Sequence, residues 1–281
     1  MSTTPVRTGK RRRKAKKTPM LALLAGMGLV CALVCAILLL EHALEPEAPT
    51  EPSVVVETLP ENPYRTAVFS RDGQGYLTAD GIETRTGIDV SDYQRDIDWQ
   101  QVAEAGIEFA FVRMGYRGYS QGILHPDEMA ATNIENAQAA GLDVGAYFFS
   151  QAITPEEAEE EAVYCLALLE RYDLQLPVVY DWEYISADAR TANLDSATLT
   201  QCAIRFCQTI EAAGLEAMVY ANPDIALNRL DLKLLQRYDF WLALYDNEMD
   251  YPYQARFWQY TDSGTVPGIE GSVDLNIQFI G

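Results

Sequence analysis

The chain has 281 residues, room for one large domain with extensions but little for two. Eight of its 21 Lys/Arg fall in residues 1–18, where there is no acid, so the remaining thirteen face all 41 Asp/Glu and the rest of the chain balances at −28. That acidity argues against a nucleic-acid partner, and two histidines and five cysteines without a C-x-x-C pair argue against a Ser-His-Asp triad, a Cys-His pair and a His-rich zinc site.

In chain order, residues 1–18 read as a basic cytoplasmic tail and 19–40 as a single membrane anchor. Met20–Leu40 is uncharged over 21 residues. As a helix rising about 1.5 Å per residue it would span roughly 31 Å, the thickness of a bilayer core. A cleaved signal peptide would carry a shorter apolar run, about 7–15 residues, ending in small residues. Here the run ends in Glu41-His42-Ala43-Leu44. Positive charge stays on the cytoplasmic side, which puts the N-terminus inside and everything after Leu40 outside. Gly28, Ala32 and Ala36 are a weak sign of helix pairing in the span, and the oligomeric state is left open.

Residues 41–63 hold Pro46, Pro49, Pro52, Pro60 and Pro63 among glutamates, the composition of an extended linker. At about 3.1 Å per residue it could reach roughly 70 Å. Residues 64–86 form a short extension. In it Ala67–Phe69 and Tyr76–Thr78 flank Asp72-Gly73-Gln74-Gly75, which suggests a hairpin.

From residue 87 to 281 the chain repeats. Ala105-Gly106-Ile107, Ala140-Gly141-Leu142 and Ala213-Gly214-Leu215 each close an amphipathic stretch and open a short strand. Glycine suits the left-handed residue just past a helix end. The spacings of 35 and 73 residues imply another unit near 177, where Pro177-Val178-Val179-Tyr180 begins a strand. Thr154-Pro155-Glu156-Glu157 has the form of a capping box, and Asp195 is placed to cap a helix over Ala197–Ala213. Five βα units starting near Gly87, Phe109, Asp143, Pro177 and Glu216 precede three strands, Phe240–Tyr245, Arg256–Thr261 and Val273–Phe279. The expected fold is α/β, an irregular β/α barrel of five βα units plus three strands. An open doubly wound sheet is the alternative, and the glycine-rich nucleotide turn it usually carries is missing after the first strand.

Function in such folds gathers at the C-terminal strand ends. The polar residues there are Asp89, Arg113, Tyr147, Asp181, Glu183, Tyr220, Asn222, Tyr245, Trp258, Gln259 and Asp274, a mixture of acids, rings and amides that suits a sugar. Asp181 and Glu183 are the sharpest pair. Side chains at i and i+2 of a strand share a face, roughly 6.5–7 Å apart. Two charges at that distance repel by roughly 2.4 kcal/mol at an effective dielectric near 20. This holds one of them protonated above the ordinary carboxylate range, as a general acid requires. The longer Glu183 is the choice for that acid. Blander readings are preferred elsewhere. Trp99, Phe109 and Phe111 are read as core, Cys165, Cys202 and Cys207 as apolar fillers on helices, Glu156–Glu161 as a solvated helix face, and Trp182 as packing against helices.

Gly87-Ile88-Asp89-Val90-Ser91, the strand Val179–Glu183, Trp258-Gln259-Tyr260 and Val273-Asp274-Leu275-Asn276 together resemble glycoside hydrolase family 25, lysozymes (N-acetylmuramidases) of bacteria, phages and fungi. The resemblance runs from about Thr86 to the C-terminus. It implies a barrel of five βα units and three strands that cuts the β-1,4 bond from N-acetylmuramic acid to N-acetylglucosamine in peptidoglycan, with no cofactor and no metal. By position it makes Glu183 the proton donor. Asp181 becomes the acid that positions or stabilises the 2-acetamido group or acts as nucleophile, and Asp89 and Asp274 two further acids. Tyr147, Tyr220 and Trp258 would line the sugar groove, with Gln259 and Arg113 as further substrate contacts. The strand spacing leaves retaining, inverting and substrate-assisted routes open.

The sequence therefore reads as a membrane-anchored peptidoglycan hydrolase, with lipid met through residues 20–40. Two rivals stand beside it. A wall-binding scaffold could use the same groove without activity. A family 18 chitinase would show D-x-x-D-x-D-x-E, and Pro177-Val178-Val179-Tyr180 before Asp181 lacks those acids.

Overall fold

The computed structural model describes residues 58–280. The expected basic tail, the expected span, residues 41–57 of the expected linker, and with them Cys31, Cys35 and His42, lie outside the described residues. Among the described residues no helix is long and apolar enough to cross a membrane.

Two short strands come first, β1 (Phe69–Arg71) and β2 (Leu77–Ala79), paired antiparallel with Phe69 opposite Ala79. A hairpin was expected here from Ala67–Phe69 and Tyr76–Thr78, and the paired strands begin two and one residues later. The repeat then runs β3 (Thr84–Val90), α1 (Trp99–Glu104), β4 (Phe109–Arg117), β5 (Leu124–Pro126), α2 (Ala130–Ala139), β6 (Asp143–Ser150), α3 (Pro155–Leu169), β7 (Val178–Trp182), α4 (Ser196–Ala212) and β8 (Ala217–Ala221). Two short helices follow, α5 (Pro223–Asn228) and α6 (Leu232–Leu235). Strands β9 (Asp239–Ala243), β10 (Phe257–Gly264) and β11 (Val273–Phe279) end the chain.

Strands β3, β4 and β6 through β11 form one sheet that closes on itself through the β3–β4 pairing, an eight-stranded barrel of five βα units and three strands. Each strand is parallel to its neighbours except β11, which runs antiparallel to both β10 and β3. The small β5, which the sequence reading did not anticipate, pairs antiparallel with the end of β4.

Local chemistry explains the register of the units. Gly106, Gly141 and Gly214 adopt φ of +90°, +90° and +85°, ending their helices in the left-handed conformation. Thr154, Asp195 and Asn222 cap α3, α4 and α5 with side-chain oxygens. The box at Thr154 differs from expectation in one bond, since the Glu157 carboxylate accepts from the backbone N–H of Ile153.

The barrel has two apolar layers. Between sheet and helices lie Ile88, Val90, Val112, Trp182, Phe206, Cys165, Cys202 and Cys207, all buried. Inside the barrel an aromatic plug of Phe109, Phe111, Trp241 and Phe257 fills the centre, with Phe111 stacked 4.7 Å from Trp241. A Cβ on Gly87 would overlap the Phe109 ring, and one on Gly145 the Phe111 ring, so these two strand glycines make room for the plug. Truncating Phe111 to alanine would cost about 3–5 kcal/mol.

Among the described residues no helix covers the outer face of β10 and β11. The N-terminal extension covers it. Tyr64 stacks 3.8 Å from Phe279, Phe69 meets Trp258 edge-on at 5.1 Å, and the Leu77 N–H donates to the Tyr260 hydroxyl. Residues at the end of the expected linker also lie against this domain, with Asn62 Nδ2 donating to the carbonyls of Met249 and Tyr251 at 3.0 and 2.8 Å.

Candidate active site

The inward residues of each strand follow from alternation. Val179 and Asp181 on β7, and Glu183 just past its end, face the barrel mouth, while Tyr180 and Trp182 face the helices, as expected for Trp182. Because β11 is reversed, its first residues reach the same end of the barrel as the last residues of β3. Asp274 thus pairs in register with Asp89. All four acids, Asp89, Asp181, Glu183 and Asp274, line one groove of about 860 Å³ at the C-terminal mouth, together with Arg113, Tyr147, Tyr220, Tyr245 and Gln259.

Hydrogen bonds distinguish the acids. Asp89 Oδ2 accepts from Asn276 Nδ2 and from Gln259 Nε2, each at 2.8 Å. Asn276 is oriented by Trp241, whose ring N–H donates to its Oδ1 at 2.8 Å. Gln259 Oε1 in turn accepts from the hydroxyls of Tyr220 and Tyr245, both at 2.9 Å. The two amides are thereby fixed with their N–H groups toward Asp89, which favours its carboxylate form. Burial still raises its pKa, against the pull of Asn276, Gln259 and Asp274. Asp274 hydrogen-bonds to Asp89, and burial followed by the Asp89 charge pushes it up to about 9. Of the two, Asp89 has the closer amide donors for its carboxylate form, and the Asp89 charge favours a proton on its neighbour.

Burial, then the Glu183 and Asp89 charges, raises Asp181 well above the usual carboxylate range. Its Oδ1 is buried without a hydrogen-bond partner. Glu183 is half-buried, and burial followed by Asp89 raises its pKa. The sequence argument put the upward pressure on one member of this pair. In the structure both acids are raised, and burial is the largest cause for each.

The other expected site residues divide. Tyr147 and Tyr220 are buried in the groove wall, and Gln259 sits among the acids. Arg113 lines the groove but is engaged. Its Nε donates to Asp127 at 2.8 Å and its Nη2 to Asp92 at 2.7 Å, and its guanidinium lies 5.4 Å from the rings of both Tyr93 and Tyr116. Trp258 departs from expectation. It is fully buried on the outer face of β10, donates to the Leu244 carbonyl at 2.7 Å, and does not reach the groove. Its neighbour Gln259 holds the inward position, and one residue of register exchanges the faces.

A second correction concerns α3. Glu156, Glu159 and Glu160 are exposed, but Glu161 is fully buried. It accepts from Arg117 Nε at 2.7 Å, from Ser150 Oγ at 2.6 Å and from the Gln151 N–H at 3.3 Å. Gln151, itself fully buried, donates to the Glu183 carbonyl at 3.1 Å and accepts from the Thr191 hydroxyl, so this cluster braces the backbone of the proposed acid. Sequence reasoning missed Asn276, Gln151 and the exposed Tyr93 and Tyr119. Only Asn276 carried a signal, two residues beyond Asp274 on the same strand face.

Four acids gathered with tyrosines and an amide lattice at the mouth of a β/α barrel suit a carboxylate-dependent glycosidase. Comparison narrows the class. Residues 88–269 match the family described as Glycosyl hydrolases family 25, and the chain belongs to that family. It is 29% identical over 200 residues to the uncharacterized protein YegX of Escherichia coli O157:H7, covering 68% of each chain. Its fold is similar to the modular autolysin LytC of Streptococcus pneumoniae, with TM-score 0.63 and 25% identity over 78% of this chain and 57% of that one. LytC has also been solved with a synthetic peptidoglycan ligand. A bacterial lysozyme from Streptomyces coelicolor matches with TM-score 0.59 and 25% identity, over 70% of this chain and 92% of that one.

Proposed function

We propose that this family 25 glycoside hydrolase is a membrane-anchored muramidase that cleaves the β-1,4 bond from N-acetylmuramic acid to N-acetylglucosamine. The observation that carries the reading is the division of labour among the acids. Glu183, half-buried and raised, is placed to hold a proton and deliver it to the leaving glycosidic oxygen. The buried, unpartnered oxygen of Asp181 offers an acceptor for the N–H of a 2-acetamido group. Such a bond would orient that group's carbonyl toward the anomeric carbon and stabilise the positive charge developing there. Asp89, its carboxylate held by Asn276 and Gln259, keeps negative charge near the sugar ring. The expected span at residues 20–40 would hold the domain outside the membrane, with the N-terminus cytoplasmic, and the Pro/Glu-rich segment after it would give reach toward the wall.

The test uses the full chain in mild detergent with purified peptidoglycan, and mass spectrometry of the new reducing ends. Muramic-acid ends from the parent and none from Glu183→Gln support the reading. Glucosamine ends overturn the bond assignment. Sedimentation with the wall and no release favours a scaffold that uses the same groove. For the anchor, carbonate-resistant membrane association that is lost on deleting residues 20–40 is expected, and release of the intact chain by carbonate would refute it.

A further inference from the structure

The groove is acidic, yet the polymer it is proposed to cut carries carboxylates, on lactyl groups where the stem peptide is absent and on the stem where it is present. Like charge repels such a ligand unless a cation meets it. Three arginines line the groove, Arg95, Arg113 and Arg117. Arg113 is committed to Asp92 and Asp127, and Arg117 to Glu160 and Glu161. Arg95 is different. Among the described residues, only Arg95 and Lys233 are basic side chains without a hydrogen bond, ion pair or ring contact, and Lys233 lies away from the groove.

The backbone at Arg95 singles it out again. It adopts φ 56° and ψ −133°, and no other non-glycine among the described residues has positive φ. This region favours glycine and costs an L-residue about 1–3 kcal/mol. The loop that imposes it is tightly tied. Ser91 Oγ accepts from the Tyr93 N–H, Gln94 Oε1 accepts from the Ser91 N–H, and the Arg95 N–H donates to the Asp92 carbonyl. Gln94 Nε2 reaches the Ser272 carbonyl just before β11. An exposed, unpaired guanidinium is thus carried on a fixed turn at the groove edge, six residues beyond Asp89 on the loop after β3. The nearby acids do not claim it, since Asp92 binds Arg113 and Asp98 caps α1.

We propose that Arg95 is a specificity determinant that binds a carboxylate of the peptidoglycan strand lying in the groove, as the one groove arginine left free to do so. This rests on the muramidase reading above. Guanidinium suits the task because its planar fork matches a carboxylate with two charge-assisted hydrogen bonds.

Binding is measured by calorimetry with the full chain carrying Glu183→Gln, so that the ligand is not cut, and with Arg95→Gly or Arg95→Lys added. The probes are soluble glycan fragments with stem peptides, the same fragments stripped of stems by an amidase, and stem-bearing fragments whose carboxylates have been converted to amides. Arg95→Gly should weaken binding of carboxylate-bearing fragments roughly tenfold, while Arg95→Lys keeps part of the affinity and the amidated fragments bind both chains alike. Loss confined to stem-bearing fragments names the stem carboxylates, and loss confined to stripped ones the lactyl group. Arg95→Gly should also raise the urea midpoint, because glycine relieves the turn. A glycine variant that is more stable and binds every fragment as its parent does, or a parent that binds no carboxylate-bearing fragment, overturns the proposal. Hydrolysis by the wild-type chain is scored separately. Its absence overturns the muramidase reading, whereas its presence with Arg95-insensitive binding overturns only this inference.

Discussion

Two clusters of acids in this molecule, each built around buried carboxylates, solve opposite problems. In the cluster behind the groove, the acids of α3 are matched with arginines. Arg117 pairs with Glu160 and Glu161, and Arg190 with Glu157 at 2.7 Å. In the mouth, Asp89, Asp181, Glu183 and Asp274 face one another, and the nearest arginine, Arg113, is already spent on Asp92 and Asp127. The first arrangement lets a loop-rich rim pack without naked charge. The second keeps protons on carboxyls, which destabilises the ionised fold and supplies an acid for chemistry. Burial alone does not separate them, since it lifts even paired Glu161 to about 7. The separation lies in whether a cation or another acid is the neighbour.

That contrast can be broken by substitution. The largest effect is expected for Glu183→Gln, with kcat lower by about 10²–10⁴ and no loss of urea stability at pH 7, because an amide cannot ionise in the groove. A fall in stability matching the fall in rate would assign Glu183 to structure. Next comes Arg117→Met, which leaves Glu161 buried without its partner. The expected loss is about 3–5 kcal/mol at pH 8. It should be smaller at pH 5, where Glu161 takes up a proton, and a pH-independent loss would mean that the ion pair is incidental.

The pH dependence of the parent sharpens the comparison further. Asp274 and Glu161 have folded pKa values near 9 and 7, above their ordinary 3.8 and 4.5. The folded chain therefore holds protons that the unfolded chain has released. Their stability contribution is complete below about pH 4 and is lost as pH rises through 7 and then 9. The urea midpoint should fall between pH 5 and 9, and Asp274→Asn should make that fall shallower. A midpoint that rises with pH would contradict this. The smallest effect belongs to Trp258→Phe, which gives up one hydrogen bond to Leu244. About 1 kcal/mol of stability and no change in KM are expected, while a raised KM would return Trp258 to the groove.

Much of this site was legible because strand alternation is a local rule. Asp181 and Glu183 share a face by spacing alone, and the repeat of Ala-Gly-apolar triplets located the strand that carries them. Trp258 was misplaced for the same reason that Gln259 was found. Both lie in one motif, and only the register of β10 against β9 and β11 says which of them turns inward. Glu161 was misread because five glutamates within six residues resemble a solvent face. The helix turns it toward Arg117, a partner 44 positions earlier in the chain.

The sequence by itself determined the repeat, the helix ends, the count of five βα units and three strands, and the identity of the acids, since each is encoded in short-range spacing and in residues that tolerate few backbone states. Tertiary structure alone decided that β11 runs backwards, and so that Asp274 meets Asp89. It also decided that Asn276 and Gln259 present their amides to Asp89, that the N-terminal hairpin stands in for missing helices, and that Arg95 is left unpaired on a strained turn. These depend on burial and on contacts between segments far apart in the chain, where the low dielectric sets which charges survive and the closure of the barrel sets which side chains meet.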